Sequence, residues 1–78
     1  MKKSRHSKKY RDVLRVLREV RKEAKLTQTQ VARKFGSHAS FISKCESGER
    51  RIDVVELAEF CKWYGVSLSE FLRRAALD

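Results

Sequence analysis

Proline is absent from this chain of 78 residues, glycine occurs three times, cysteine twice and tryptophan once. No apolar run exceeds three residues, far short of the roughly 20 that a membrane-spanning helix needs. The N-terminus is basic, but no apolar stretch follows it, so no secretory signal is expected. Cys45 and Cys61 lack a C-x-x-C spacing, and small secreted folds usually carry more disulfides. A cytoplasmic protein with buried thiols is expected. Together with His6 and His38, the cysteines fit no standard zinc pattern. There is no Gly-rich phosphate loop and no nucleophile–base–acid arrangement. A chain this short buries only about 60% of its unfolded surface, so its single core is small. No enzyme, cofactor, metal or membrane partner is expected.

What the chain has in quantity is positive charge. Nineteen Lys and Arg stand against ten Asp and Glu, for a formal net charge of +9. The distribution is lopsided: residues 1–34 hold 13 basic and 3 acidic residues, residues 35–78 hold 6 and 7. A basic half joined to a near-neutral half points to a polyanion, most often nucleic acid. Residues 1–9 carry five of the basic side chains and no apolar residue after Met1. They are expected to form a flexible arm ahead of a domain over 10–78. The arm either places Arg5 in a minor groove or adds only salt-dependent affinity, and the second reading is preferred.

The rest reads as helix, with no alternating strand pattern. Tyr10, Val13, Leu14, Leu17, Val20 and Ala24 recur at helical steps, predicting a first helix over 10–25. Thr27 and Gln30 have the capping-box spacing that opens a helix from Gln28 to Phe35, and Gly36 stops it. A third helix begins near Ala39 and ends at Gly48, with Phe41, Ile42 and Cys45 apolar. So tight a turn between two short helices forces a steep crossing, as in a helix-turn-helix unit. Asp53 with Glu56 opens a fourth helix whose stripe is Val54, Leu57, Phe60, Cys61 and Tyr64, closed by Gly65. Ser67 with Glu70 opens a fifth, from Leu68 to about Ala76. The expected fold is an all-α, compact five-helix domain.

The stretch LTQTQVARKFGSHASFISKCESGERRIDVVELAEFCKWYGVSLSEF resembles the Cro/repressor-type (XRE-like) helix-turn-helix family, the small DNA-binding domains of phage repressors and many bacterial regulators. LTQ opens the second helix, Ala32 stands where the family wants a small residue, and Gly36 stands in the turn. FISKCESGERR is similar to the family's ISKIERGKRR segment, and YGVSLSEFL to its LGVSLDELL close. The resemblance implies a lambda-repressor-like fold. Departures are Ser37 at a turn position that is usually apolar, His38 and Ala39 where Ser and Gln are frequent, Ile52 for a common Pro, and Lys25 for a common Gly. Lys25 is therefore expected at positive φ, at a cost of about 1 kcal/mol against Gly.

In this motif the second helix of the pair lies in the major groove of double-stranded DNA with its N-terminal residues at the base edges. The reading set is then Ala39, Ser40, Phe41, Ser43 and Lys44. Ser40 bonds to several bases, Lys44 to guanine or to phosphate, and Ala39 packs only on a thymine methyl. Phe41 is balanced between partial burial and a methyl or sugar contact. The resemblance implies backbone contacts from Gln28, Arg50 and Arg51, and the positions of Arg33 and Lys34 add two more. It also implies that Arg21 and Glu46 form a structural ion pair behind the reading face.

One reading helix covers few base pairs, and family members often dimerise on pseudo-palindromes with half-sites about 34 Å apart. A homodimer is expected, through an apolar patch of Trp63, Leu68, Leu72, Ala75 and Ala76; the bland alternative is that these residues finish the monomer core. The expected function is a homodimeric repressor or controller. The rivals are an antitoxin or adaptor that binds a protein partner on the same fold, and a non-specific nucleoid or RNA binder.

Overall fold

The computed structural model describes residues 7–78. Residues 1–6, including Arg5 and His6 of the expected arm, lie outside the described residues. Among the described residues the chain forms five helices and no strand: α1 (Lys8–Glu23), α2 (Gln28–Phe35), α3 (Ala39–Ser47), α4 (Val54–Tyr64) and α5 (Leu68–Arg74).

Local chemistry sets the helix boundaries. The Ser7 hydroxyl accepts the Tyr10 N–H at 3.1 Å and starts α1 two residues before the expected Tyr10. Lys8 and Lys9 thus belong to a helix rather than to an arm. At the other end, Lys25 N–H donates to the Lys22 carbonyl (2.9 Å) and Leu26 N–H to the Arg21 carbonyl (3.3 Å). This paired closure needs a left-handed residue, and Lys25 supplies it at φ 60°, as the sequence led one to expect. Thr27 and Gln30 form a full capping box at α2 (3.1 and 2.9 Å), and Gly36 at φ 65° lets the chain turn directly toward α3. Asp53 and Glu56 form another at α4 (2.7 and 3.1 Å). At α5 only half the box forms. Ser67 accepts the Glu70 N–H at 3.0 Å, while the Glu70 carboxylate pairs with Arg73.

Val13, Val16, Leu17 and Val20 of α1 pack against Val31 and Ala32 of α2, Ile42 and Cys45 of α3, Phe60, Cys61 and Tyr64 of α4, and Phe71 and Ala75 of α5. Val16, which the α1 stripe omitted, is fully buried. Val54 is the opposite case. It was expected on the α4 stripe but is 68% exposed, because at about 100° per residue it lies roughly 120° around the helix from Phe60. Phe35 packs tilted against Phe60 (4.6 Å between ring centroids) and meets Phe41 (5.8 Å), so an aromatic chain runs from the core to the front of α3. Arg74 clasps α5 to α1 through Glu19 (3.2 Å) and Glu23 (2.7 Å).

Candidate nucleic-acid interface

Helix α3 buries Ile42, Cys45 and Glu46 and turns Ser40, Ser43, Lys44 and Ser47 to solvent. A rotation of about 100° per residue puts these four on one face. The side chains of Ser40, Ser43 and Lys44 make no hydrogen bond or ion pair among the described residues, so they are available to a ligand. The Ser47 hydroxyl, which sequence reasoning passed over, donates to the Lys44 carbonyl (3.2 Å) and accepts the Glu49 N–H (3.3 Å), tying the helix end to the loop. Ala39 is half-buried. Phe41 is half-buried too, between the Phe35 ring and the Arg50 guanidinium, which sits 5.0 Å from its ring centroid.

Behind this face Glu46 is 3% exposed. Its carboxylate accepts from Arg21 Nε (2.6 Å), Arg21 Nη2 (3.2 Å) and Gln28 Nε2 (3.0 Å). Arg21 also donates to the Leu26 carbonyl at 2.9 Å. The Arg18 guanidinium donates to the backbone carbonyl of Glu46 at 2.9 Å, satisfying an acceptor that the helix end leaves open. One carboxylate therefore joins α1, the start of α2 and the end of α3. The hydrogen bonds that Arg21 donates to Glu46, and the adjacent negative charge, raise the Arg21 pKa above its usual value. The Tyr64 phenol lies within the field of this pair; burial first, then the Glu46 charge, push its pKa up, and its oxygen has no hydrogen-bond partner among the described residues.

The expected backbone contacts fare unevenly. Gln28 is half-buried, with its amide on Glu46 rather than turned outward. Arg50 is not a loosely solvated cation. It forms a two-pronged pair with Glu56 (2.9 and 2.8 Å) and lies over Phe41. The hydrogen bond and charge of Arg50 hold the Glu56 carboxyl below its usual range. Arg51 is exposed and stacks over Tyr10 at 4.4 Å. The Tyr10 hydroxyl accepts the Ile52 N–H at 2.9 Å, so α1 holds the loop that carries both arginines. Arg33 and Lys34 are exposed at the end of α2, with Lys34 5.0 Å above the Trp63 ring. Sequence spacing carried no sign of the Arg18, Gln28 and Tyr10 contacts, which join positions 18 to 42 residues apart.

The expected apolar patch loses one of its five members to the core. Ala75 is 1% exposed and packs inside the domain, which removes it from any interface. Leu68 and Trp63 rest partly buried against the core, Leu72 is half-buried, and Ala76 is exposed at φ 61° where it closes α5. Burial raises the thiol pKa of Cys61; it does the same for Cys45, partly offset by Arg50. No group of three metal-ligating side chains comes together among the described residues, and no described helix is long and apolar enough to cross a membrane.

Residues 12–75 match the helix-turn-helix domain family. Among solved structures the chain is similar to an XRE-family like protein from Pseudomonas syringae pv. tomato str. DC3000. The two share 37% sequence identity with a TM-score of 0.81, over 87% of this chain and 83% of that one. No curated protein sequence matches the chain.

Proposed function

The chain belongs to the XRE-like helix-turn-helix family of DNA-binding regulators, and on that premise we propose that it is a sequence-specific, homodimeric repressor or controller that reads a pseudo-palindromic operator through α3. The observation that carries the reading is the outer face of α3, where Ser40, Ser43 and Lys44 are exposed and unengaged on a helix that Glu46 locks from behind. A helix fixed in this way presents its donors to base edges in the major groove at little ordering cost.

Lys44 supplies the strongest direct contact, to guanine or to a phosphate at the groove wall. Ser40 and Ser43 discriminate less, since a hydroxyl both donates and accepts. Arg51, Arg33 and Lys34 are the backbone candidates that form no ion pair among the described residues. Arg50 reaches a phosphate only by exchanging Glu56 for it. Gln28 contributes from behind, through Glu46. A regulator acting in the cytoplasm keeps Cys45 and Cys61 as buried thiols.

The test is capture of fragmented genomic DNA from the source on the purified protein at about 0.15 M salt, where non-specific binding is weak. One enriched motif with two-fold symmetry is the expected result. Capture with no sequence preference removes the specific-regulator reading and favours a protein partner of the antitoxin or adaptor kind.

A further inference from the structure

We infer that Glu56 withholds Arg50 from the DNA backbone and so holds down the domain's sequence-independent grip on DNA. The inference rests on the DNA-binding reading above and names a residue that limits it. Arg50 follows closely on the reading helix. Its backbone N–H donates to the Lys44 carbonyl at 3.1 Å, and its guanidinium lies 5.0 Å from the Phe41 ring centroid. The cation therefore stands beside the exposed face of α3, where the phosphates of a groove wall pass when that helix lies in the groove. Both Nη atoms of the guanidinium are engaged with Glu56, at 2.9 and 2.8 Å, and Nη1 also donates to the Arg51 carbonyl at 3.2 Å. These are the donors that a two-pronged phosphate contact needs.

Glu56 is fixed from its own side. It is the third residue of α4, where the helix dipole favours an acid, and its Oε1 also accepts the Asp53 N–H at 3.1 Å. Its side chain is 22% exposed against 44% for Arg50, so the arginine is the partner that solvent reaches. A phosphate that takes Arg50 must break a two-pronged pair and leave an unpaired carboxylate beside the DNA. Both effects oppose the contact. Arg51, in the same loop, is the contrast: its guanidinium lies 4.4 Å over Tyr10 and forms no ion pair among the described residues. Two adjacent arginines therefore deliver one phosphate contact between them. In a chain of net charge +9, this lowers the affinity for arbitrary DNA, the pool that competes with any specific site. Helix capping alone does not call for a carboxylate here. Gln30 closes the same kind of box at α2, accepting the Thr27 N–H at 2.9 Å. The charge of Glu56 serves Arg50 rather than the cap.

The experiment compares the native chain, Glu56→Gln, Arg50→Ala and the double variant on a labelled duplex of arbitrary sequence and about 20 base pairs, by fluorescence anisotropy between about 0.05 and 0.2 M salt. Circular dichroism checks that each protein is folded. Glu56→Gln keeps the cap and is expected to bind about fivefold tighter at the lower salt, the scale of an exposed ion pair. Its salt slope is expected to steepen by about 0.9, one added phosphate contact. In the Arg50→Ala background, Glu56→Gln is expected to leave the slope unchanged. Native-like affinity and slope in Glu56→Gln overturn the proposal. Equal steepening with and without Arg50 also overturns it, since the carboxylate then acts on the DNA directly. No binding by any of the four proteins overturns instead the DNA-binding reading on which the proposal rests.

Discussion

Replacing Glu46 with alanine tests the link between the core and the reading helix. The residue is 3% exposed and accepts hydrogen bonds from Arg21 and Gln28. Its loss leaves Arg21, with a side chain 11% exposed, holding only the Leu26 carbonyl. Breaking a buried pair from one side costs about 3–5 kcal/mol, because the remaining charge is buried and uncompensated. A domain of this length has only about 4–12 kcal/mol in all, so Glu46→Ala brings it close to unfolding. The double replacement Arg21→Met with Glu46→Leu removes both charges and is expected to cost much less. Urea unfolding followed by circular dichroism and by Trp63 fluorescence measures both. With m at about 1–3 kcal/mol/M, the single variant moves the midpoint down by roughly 1 M or more at unchanged m. A loss below about 1 kcal/mol, the range of an exposed pair, means that Glu46 does not hold a buried pair together. So does a double variant less stable than the single one.

Three further outcomes are expected. Lys25→Gly relieves the left-handed residue at the end of α1 and raises stability by about 1 kcal/mol in the same assay. In acid, the Glu56 and Glu23 carboxyls, held below 4.5 by Arg50 and Arg74 respectively, contribute stability above their unfolded pKa and lose it as pH falls through the lower folded value. Thermal melts at stepped pH are thus flat down to about pH 5 and fall below it, and Glu56→Gln makes the fall shallower. Arg51→Ala weakens binding to every DNA sequence and reduces the salt slope by about 0.9, the share of one phosphate contact. Arg50→Ala changes that slope less, because Glu56 already neutralises the cation.

The helices were legible wherever one residue type dictates a local event. Thr27, Asp53 and Ser67 cap and glycine closes, while Lys25 at positive φ followed from the family resemblance, which has a Gly at that place. Ser7 was hidden because it sits in a run of charge that shows no apolar rhythm. Val54 was misplaced because the α4 stripe was drawn one turn too far toward the N-terminus. On the outer face of α3, Ser40, Ser43 and Lys44 were legible once the family resemblance named the helix, and Ser47 was passed over. The partners of Gln28 and Arg50 were not legible: the first depends on how α2 meets α3, and the second on a loop whose path no periodicity describes. The α5 patch failed at Ala75 for the same reason, since a small apolar residue at a helix end reads alike on a core and on an interface.

On the proposed function, α3 reads bases through Lys44 and its neighbouring serines. Its most direct test is selection from a random double-stranded library by the native chain and by Lys44→Ala, each bound at equal occupancy and sequenced. One two-fold motif is expected for the native protein, and loss of preference at symmetric positions of that motif for the variant, with the rest retained. Identical motifs from the two proteins would contradict it and move sequence reading away from this face of α3.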